Sequence, residues 1–255
     1  MAIASSVPLT AAPAFGRLRR HEEAAPSRLG VLTTSRAELG CWLAPRARMV
    51  RALASGADGV RARAGAERLL AEGIAGLVSF GLASGLAPVA RPGDLVVAES
   101  VVLPSGETIR SDETWRQSLL LQLAAGSSKI HVARVAGADQ PLIAVAAKKA
   151  AFCATFAAAV DTESHVVAEV AAAHGLPFVV VRAVADPVEH PRPAIALLNI
   201  GAEGEPRRLG VAARCLRHPW ELVALRRHQR WANAALRALR PIPIGFPMAV
   251  AIPAV

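Results

Sequence analysis

Tyrosine is absent from this 255-residue chain and aromatic residues make up only 4% of it. The scarcity, set beside abundant alanine, reads as compositional bias rather than function. Trp220 and Trp231 stand eleven residues apart, about three helical turns, and read as core rather than as base-stacking platforms. Three cysteines, Cys41, Cys153 and Cys215, are widely separated and form no CxxC. Neither a disulfide framework nor a thiolate metal site is expected, and a reduced, cytosolic compartment is. His165, His174, His190 and His218 lack metal-ligand spacing, and no HExxH, GxGxxG, P-loop or GxSxG occurs, so no metal and no cofactor is expected. The first fifteen residues lack a positive charge ahead of their apolar part, which makes a poor signal peptide. The longest apolar stretch, Ile74 to Ala90, is broken by Gly, Ser and Pro and does not read as a membrane span.

What is present is apolar and basic. Hydrophobic residues are 53% of the chain, enough for a sizeable core in one α/β domain or at most two small ones. Pro8, Pro13 and Pro26 mark residues 1–27 as a flexible extension; 28–240 form the expected domain, and 241–255 a tail whose four prolines forbid a regular helix. The net charge is +9, with Arg17, Arg19 and Arg20 near the start and a second group from Arg207 to Arg240. Solvated helix faces account for this; so does attraction to an anionic surface, phospholipid or nucleic acid. No run of charge is dense enough to choose.

Strand and helix patterns alternate. Strands are expected at Leu29–Thr34, Gly76–Phe80, Asp94–Val102, Lys129–Val135, Leu142–Ala146, Phe156–Val160 and Phe178–Val184. Helices are expected at Val60–Glu72, near Asp112–Ala125, after the DTES segment with Val166, Val167, Val170 and Ala171 on one face, and from His218 onward, where Trp220, Leu222, Val223, Leu225, Trp231 and Leu236 are apolar. Gly81–Gly85 is expected as a loop. Such alternation predicts an α/β layered sheet, whose sites lie beyond the carboxyl ends of strands. Glu38, the glycine loop, Glu163 and Asp186 fall at those ends.

Each has a structural and a chemical reading. The glycine loop is a tight turn, or a place where backbone N–H groups approach a ligand. Asp161 or Thr162 caps a helix with Glu163 in its first turn, or Glu163 grips a diol, since one carboxylate accepts two hydroxyl hydrogen bonds. Asp186 caps a loop, or serves as a general acid at the mouth of a buried strand.

GLVSFGLASGLAPVARPGDLVV, AVDTESHVVAEVAAAHGLPFVVVRAVADP and HPRPAIALLNIGAEGEPR occur in this order. With these segments the chain resembles the purine nucleoside phosphorylase and methylthioadenosine/adenosylhomocysteine nucleosidase superfamily, and within it the hopanoid-associated phosphorylases of bacteria. The resemblance runs from about Leu29 to Pro193, more loosely to Leu239. It implies a three-layer α/β fold with a mixed, twisted central sheet flanked by helices. It implies that Asp186 protonates the purine leaving group, Glu163 holds the ribose hydroxyls, and Glu38 positions the attacking group. Thr162, Ser84, Gly85 and Phe178 are the further substrate-binding residues it suggests.

The chain departs from that pattern at three places. Thr162 stands where the family usually has Met, Ser84-Gly85-Leu86 where the loop often ends GGL, and Ser79 and Leu82 where small-nucleoside phosphorylases carry phosphate ligands. Phosphate as co-substrate would then need Thr33, Thr34, Ser35 and Arg36. The leading expectation is release of adenine from adenosylhopane, a nucleoside with a lipid-like 5′ group, by a cytoplasmic enzyme in peripheral contact with the inner membrane. A homodimer is expected and a nucleic-acid partner is not. The rivals are a hydrolytic methylthioadenosine or adenosylhomocysteine nucleosidase and an inactive basic binding protein.

Overall fold

Alternate residues of the long strands face opposite ways, and the chain supplies apolar side chains in both directions, as a sheet covered on both faces requires. The computed structural model describes residues 28–41, 50–124, 126, 128–193, 216, 218, 221–240 and 242. Cys215, Trp220, the 1–27 extension and the tail beyond 242 lie outside them.

In chain order the described elements are β1 (Arg28–Thr33), α1 (Arg36–Leu39), β2 (Val50–Ala54), α2 (Gly59–Ala71), β3 (Ile74–Gly85), β4 (Leu95–Val102), β5 (Thr108–Arg110), α3 (Glu113–Leu123), β6 (Ile130–Gly137), α4 (Val145–Thr155), β7 (Ala159–Asp161), α5 (Ser164–Ala173), β8 (Phe178–Asp186) and α6 (Glu221–Leu239). The sheet is mixed. β2, β1 and β3 run parallel. β3 pairs in parallel with β8, β8 antiparallel with β4, β4 in parallel with β6, β6 in parallel with β7, and β7 antiparallel with β3. These five pairings form a closed circuit of strands, with β5 hydrogen-bonded to β4 as an antiparallel edge.

Two cores flank the sheet. On one side Leu32, Leu77, Phe178, Val180 and Val184 pack under Ala62, Ala66 and Leu69 of α2 and Val166, Val167, Val170 and Ala171 of α5. On the other, Val31, Val78, Phe80, Val179 and Val181 pack under Trp115 and Leu119 of α3 and Ala235, Ala238 and Leu239 of α6. This is the expected three-layer α/β architecture.

Several local expectations are corrected. Gly81–Gly85 is the end of β3, not a loop, because it pairs with β8 and β7. Leu142–Ala146 is not a strand: α4 begins at Val145, and the alanines and lysines that follow are strong helix formers. The Phe156–Val160 strand shortens to β7, since Phe156 takes a left-handed conformation closing α4. β2 and β5 are strands with no clear alternation in sequence. In α6, Val223 is exposed, and the buried positions are His228, Ala235, Ala238 and Leu239.

Candidate active site

Strand β1 ends at Thr33 and runs through Thr34 into Ser35, which starts α1 with a capping box: its hydroxyl accepts from Glu38 N, and Glu38 Oε2 accepts from Ser35 N at 3.1 Å. Glu38 Oε2 also accepts from Thr34 N at 2.7 Å, and Oε1 from Leu82 N of β3 at 3.2 Å. Glu38 is thus sealed in by three backbone donors, and burial pushes its pKa to about 7. The nearby Arg182 guanidinium pulls it down and the Glu163 carboxylate pushes it up.

Glycine is required at 81. Its φ is 152°, and a Cβ there would lie 2.6 Å from Glu38 Oε2 and 3.0 Å from Arg182 Nη1. Gly81→Ala is expected to displace the carboxylate and cost about 100-fold in kcat/KM. Gly59→Ala is the control, because its added carbon meets only Val166 at 3.8 Å. Full activity in Gly81→Ala would show that the placement of Glu38 does not matter.

Strand β7 delivers Asp161, whose Oδ1 accepts from Glu163 N at 2.7 Å and Ser164 N at 2.6 Å, while Oδ2 accepts from Ser164 Oγ at 2.6 Å. Asp161 therefore performs the capping and leaves the Glu163 side chain free of it. Glu163 accepts from Thr34 Oγ1 at 2.9 Å on Oε2 and from Thr162 Oγ1 at 2.7 Å on Oε1. Burial raises its pKa, Arg182 lowers it and Asp161 raises it.

Arg182 unites this cluster. It sits in the middle of β8 with no solvent exposure. Its Nε lies 3.0 Å from Asp161 Oδ2, Nη2 lies 3.6 Å from Glu163 Oε2, and Nη2 donates to Ser79 Oγ at 2.5 Å. One guanidinium serves three carboxylates, Glu38, Asp161 and Glu163. The surplus negative charge and the burial together keep the two glutamates easy to protonate.

Asp186 ends β8. Ser84 Oγ donates to its Oδ1 at 3.1 Å, and the fully buried Lys148 of α4 donates to its Oδ2. Lys148 Nζ also donates to the carbonyls of Pro187 at 3.1 Å and His190 at 2.9 Å, so all three of its hydrogens are placed.

Several of these groups line a cavity of about 590 Å³, within the range of small-molecule sites. Thr34, Ser35, Arg36, Glu38, Ser84, Thr162 and Glu163 are on its wall, together with Arg192 and His228, Leu225 and Ala232 of α6. Asp186 lies behind Ser84 rather than on the wall. Gly85 is likewise off the wall, paired with Ala159. Phe178 is a correction: it lies at the opposite end of β8 from Asp186, roughly 26 Å along the strand, and is buried in the α2–α5 core. Of the suggested phosphate ligands, Thr34 and Ser35 are already engaged with carboxylates, through Thr34 N, Thr34 Oγ1 and Ser35 N.

Sequence reading missed Arg182, Lys148, Arg192 and His228. Arg182 had a visible signal, a lone cation within the otherwise apolar run FVVVRAVA. Serine three residues before Glu38 likewise spells a capping box. Among the described residues no group of three or more His, Cys, Asp or Glu is arranged to hold a metal, and no helix is long and apolar enough to cross a membrane.

The model of the phosphorylase superfamily matches residues 47–217. The chain belongs to the phosphorylase superfamily. It is accordingly an enzyme of the phosphorylase and nucleosidase type, acting on N-glycosidic bonds. Solved structures share the superfamily fold at low identity. A Helicobacter pylori 5′-methylthioadenosine/S-adenosylhomocysteine nucleosidase, complexed with a pyrrolopyrimidine-pyrrolidine compound, is 16% identical, with a TM-score of 0.62 over 85% of this chain and 97% of that one. The native futalosine hydrolase of the same organism is 17% identical, with a TM-score of 0.61 and the same coverage. A Campylobacter jejuni nucleosidase of the first kind is 17% identical, with a TM-score of 0.58 over 84% of this chain and 99% of that one. No curated protein matches this phosphorylase-superfamily chain in sequence.

Proposed function

We propose that the chain hydrolyses the N-glycosidic bond of a 5′-substituted adenosine and releases adenine. Thr34 carries this reading. Its backbone N–H donates to Glu38 and its hydroxyl to Glu163, so one residue ties two buried carboxylates to one wall of the cavity. The sugar is proposed to lie over that wall, with its hydroxyls replacing Thr34 and Thr162 as donors to Glu163. Cleavage of the bond to the base develops positive charge on the ribose, and the nearby carboxylate stabilises it.

Water is the proposed nucleophile. A phosphate at Thr34, Ser35 and Arg36 would find both amides already donating to Glu38 and would meet the charge of two carboxylates. Glu38, with its pKa near 7, is matched to taking a proton from water at neutral pH. On the base side the proposal puts Ser84 and, behind it, Asp186, the acid that the resemblance assigns to the purine.

The resemblance to the hopanoid branch extends the proposal to a triterpenoid 5′ group, adenosylhopane being the substrate. Leu225, Ala232, Ala37 and Ala57 give the cavity an apolar stretch suited to such a group. The +9 charge supports contact with an anionic membrane that holds the lipid, and sedimentation with anionic vesicles at low salt reads that contact directly.

The test is adenine release from adenosylhopane, 5′-methylthioadenosine and S-adenosylhomocysteine, each with and without phosphate. The expected result is release that needs no phosphate and is fastest with adenosylhopane. A strict phosphate requirement overturns hydrolysis, preference for a small 5′ group overturns the lipid substrate, and no release from any of them overturns the nucleosidase reading.

A further inference from the structure

The outer face of α6 carries a density of charge that neither the fold nor the carboxylate cluster uses. Val223, Arg226, Arg227, Arg230 and Arg237 recur at i, i+3, i+4, i+7 and i+14, which places them within an arc of about 100° of the helix surface. All five are exposed, Val223 at 75%. The opposite side of the same helix is occupied: Ala235, Ala238 and Leu239 pack in the core, and Leu225, Gln229 and Ala232 line the cavity. One helix, about 10 Å thick, therefore separates the basic stripe from the cavity.

The stripe is not an ordinary solvated face. Such faces set opposite charges at helical spacing, and like charges three or four residues apart repel. Elsewhere arginines have carboxylates beside them: Arg51 and Arg68 pair with Glu72, and Arg63 with Glu169. On α6 the one acid is Glu221, in the first turn. Arg227 lies over the Trp231 ring at 5.3 Å, and among the described residues Arg226, Arg230 and Arg237 have no carboxylate partner. The helix dipole favours only the cation of the last turn, Arg237. Arg226, Arg227 and Arg230 crowd together in mid-helix, where an external anionic surface would relieve their repulsion.

A bilayer fits this face better than a nucleic acid does. The stripe continues into the exposed Val223 and has no exposed aromatic ring on which a base could stack. An anionic headgroup layer takes both the arginines and the apolar side chain. Because the apolar side of α6 is already packed, the helix does not insert. Contact is made by charge, and salt screens it.

We propose that the outer face of α6, through Arg226, Arg227, Arg230 and Arg237, is the surface that docks the protein on an anionic phospholipid bilayer. This rests on the reading of the substrate as a nucleoside whose 5′ group is held in a membrane. The helix that meets the headgroups is the one whose inner side forms part of the cavity wall. Docking therefore brings the cavity to within about one helix diameter of the bilayer, where a lipid-anchored nucleoside is presented.

The experiment sediments the full chain with phosphatidylcholine vesicles, with and without phosphatidylglycerol, at about 0.1 M salt, where the Debye length is about 10 Å. Binding is expected to the anionic vesicles only, with release at about 1 M salt. Each arginine near such a surface strengthens binding about fivefold, so Arg226→Gln, Arg230→Gln and Arg237→Gln together should weaken it about 100-fold. The control combines Arg51→Gln, Arg63→Gln and Arg68→Gln. It removes the same charge from β2 and α2, and α2 packs on the opposite face of the sheet from α6. The control should weaken binding by under about threefold. Equal losses in the two triple variants, no binding by the wild-type chain, or tighter binding to single-stranded RNA than to vesicles at the same salt overturns the assignment. Adenine release from soluble 5′-methylthioadenosine judges the nucleosidase reading separately, and there the α6 variant should match the wild-type rate. Thermal melts of both variants separate unfolding from lost docking.

Discussion

Glu38→Gln should lower kcat/KM by about 100- to 10,000-fold, the usual share of a general base. The carboxylate is the form that takes a proton from water, so wild-type activity should rise with pH through about 7, where the buried Glu38 titrates. In Glu38→Gln that rise should disappear together with the rate. Stability carries the opposite sign. The folded pKa of Glu38 is raised, so its contribution to stability is fully present below the unfolded value of 4.5 and is lost as pH rises through about 7. The wild-type chain should therefore melt at lower temperature at pH 8 than at pH 5.5, and the glutamine variant should show a smaller difference. Glutamine keeps one acceptor for the three backbone donors and turns its amide N–H₂ toward the others, so some loss of stability at low pH accompanies it. A variant with wild-type rate and an unchanged pH profile would remove Glu38 from the chemistry.

Lys148→Met should be the most destabilising single change near the site. Lys148 and Asp186 are both almost wholly buried, and the ammonium holds the carboxylate and two carbonyls at once. Removing one partner of a buried pair leaves the other uncompensated, at a cost of about 3–5 kcal/mol. In a chain of this size that lowers Tm by roughly 6–20 °C. The double change Lys148→Met with Asp186→Asn should be less destabilised than the sum of the single changes, by about 1–3 kcal/mol of coupling. Denaturant unfolding of the four proteins gives this number. A Lys148→Met variant within about 0.5 kcal/mol of wild type, or strict additivity, would mean that the pair does not hold the base side together.

Much of the scaffold was open to sequence reading because its signals are local. β8 is a β-branched run, α5 has one apolar face, and Gly175 and Pro177 stop it. The junction at 81–85 was misread because glycines there serve close approach to Glu38 and to β8 rather than a turn. α4 was misread because a short apolar run does not distinguish strand from helix. For the site, resemblance singled out Glu38, Glu163 and Asp186, and the fold brings the first two onto one wall. It did not reveal that Thr34 and Ser35 serve these carboxylates, because that depends on pairings across as many as 129 residues. Lys148 was invisible for the same reason: it sits among alanines, and its partner lies 38 residues away. Phe178 was misplaced because motif proximity to Asp186 in sequence becomes distance along an extended strand.

The most direct measurement is the fate of oxygen when a 5′-substituted adenosine is turned over in ¹⁸O-labelled water without phosphate. If Glu38 activates water against the ribosyl centre, the released sugar carries one ¹⁸O at C1 for each adenine set free. Unlabelled sugar, or turnover that starts only when phosphate is added and yields a sugar phosphate, would contradict the account.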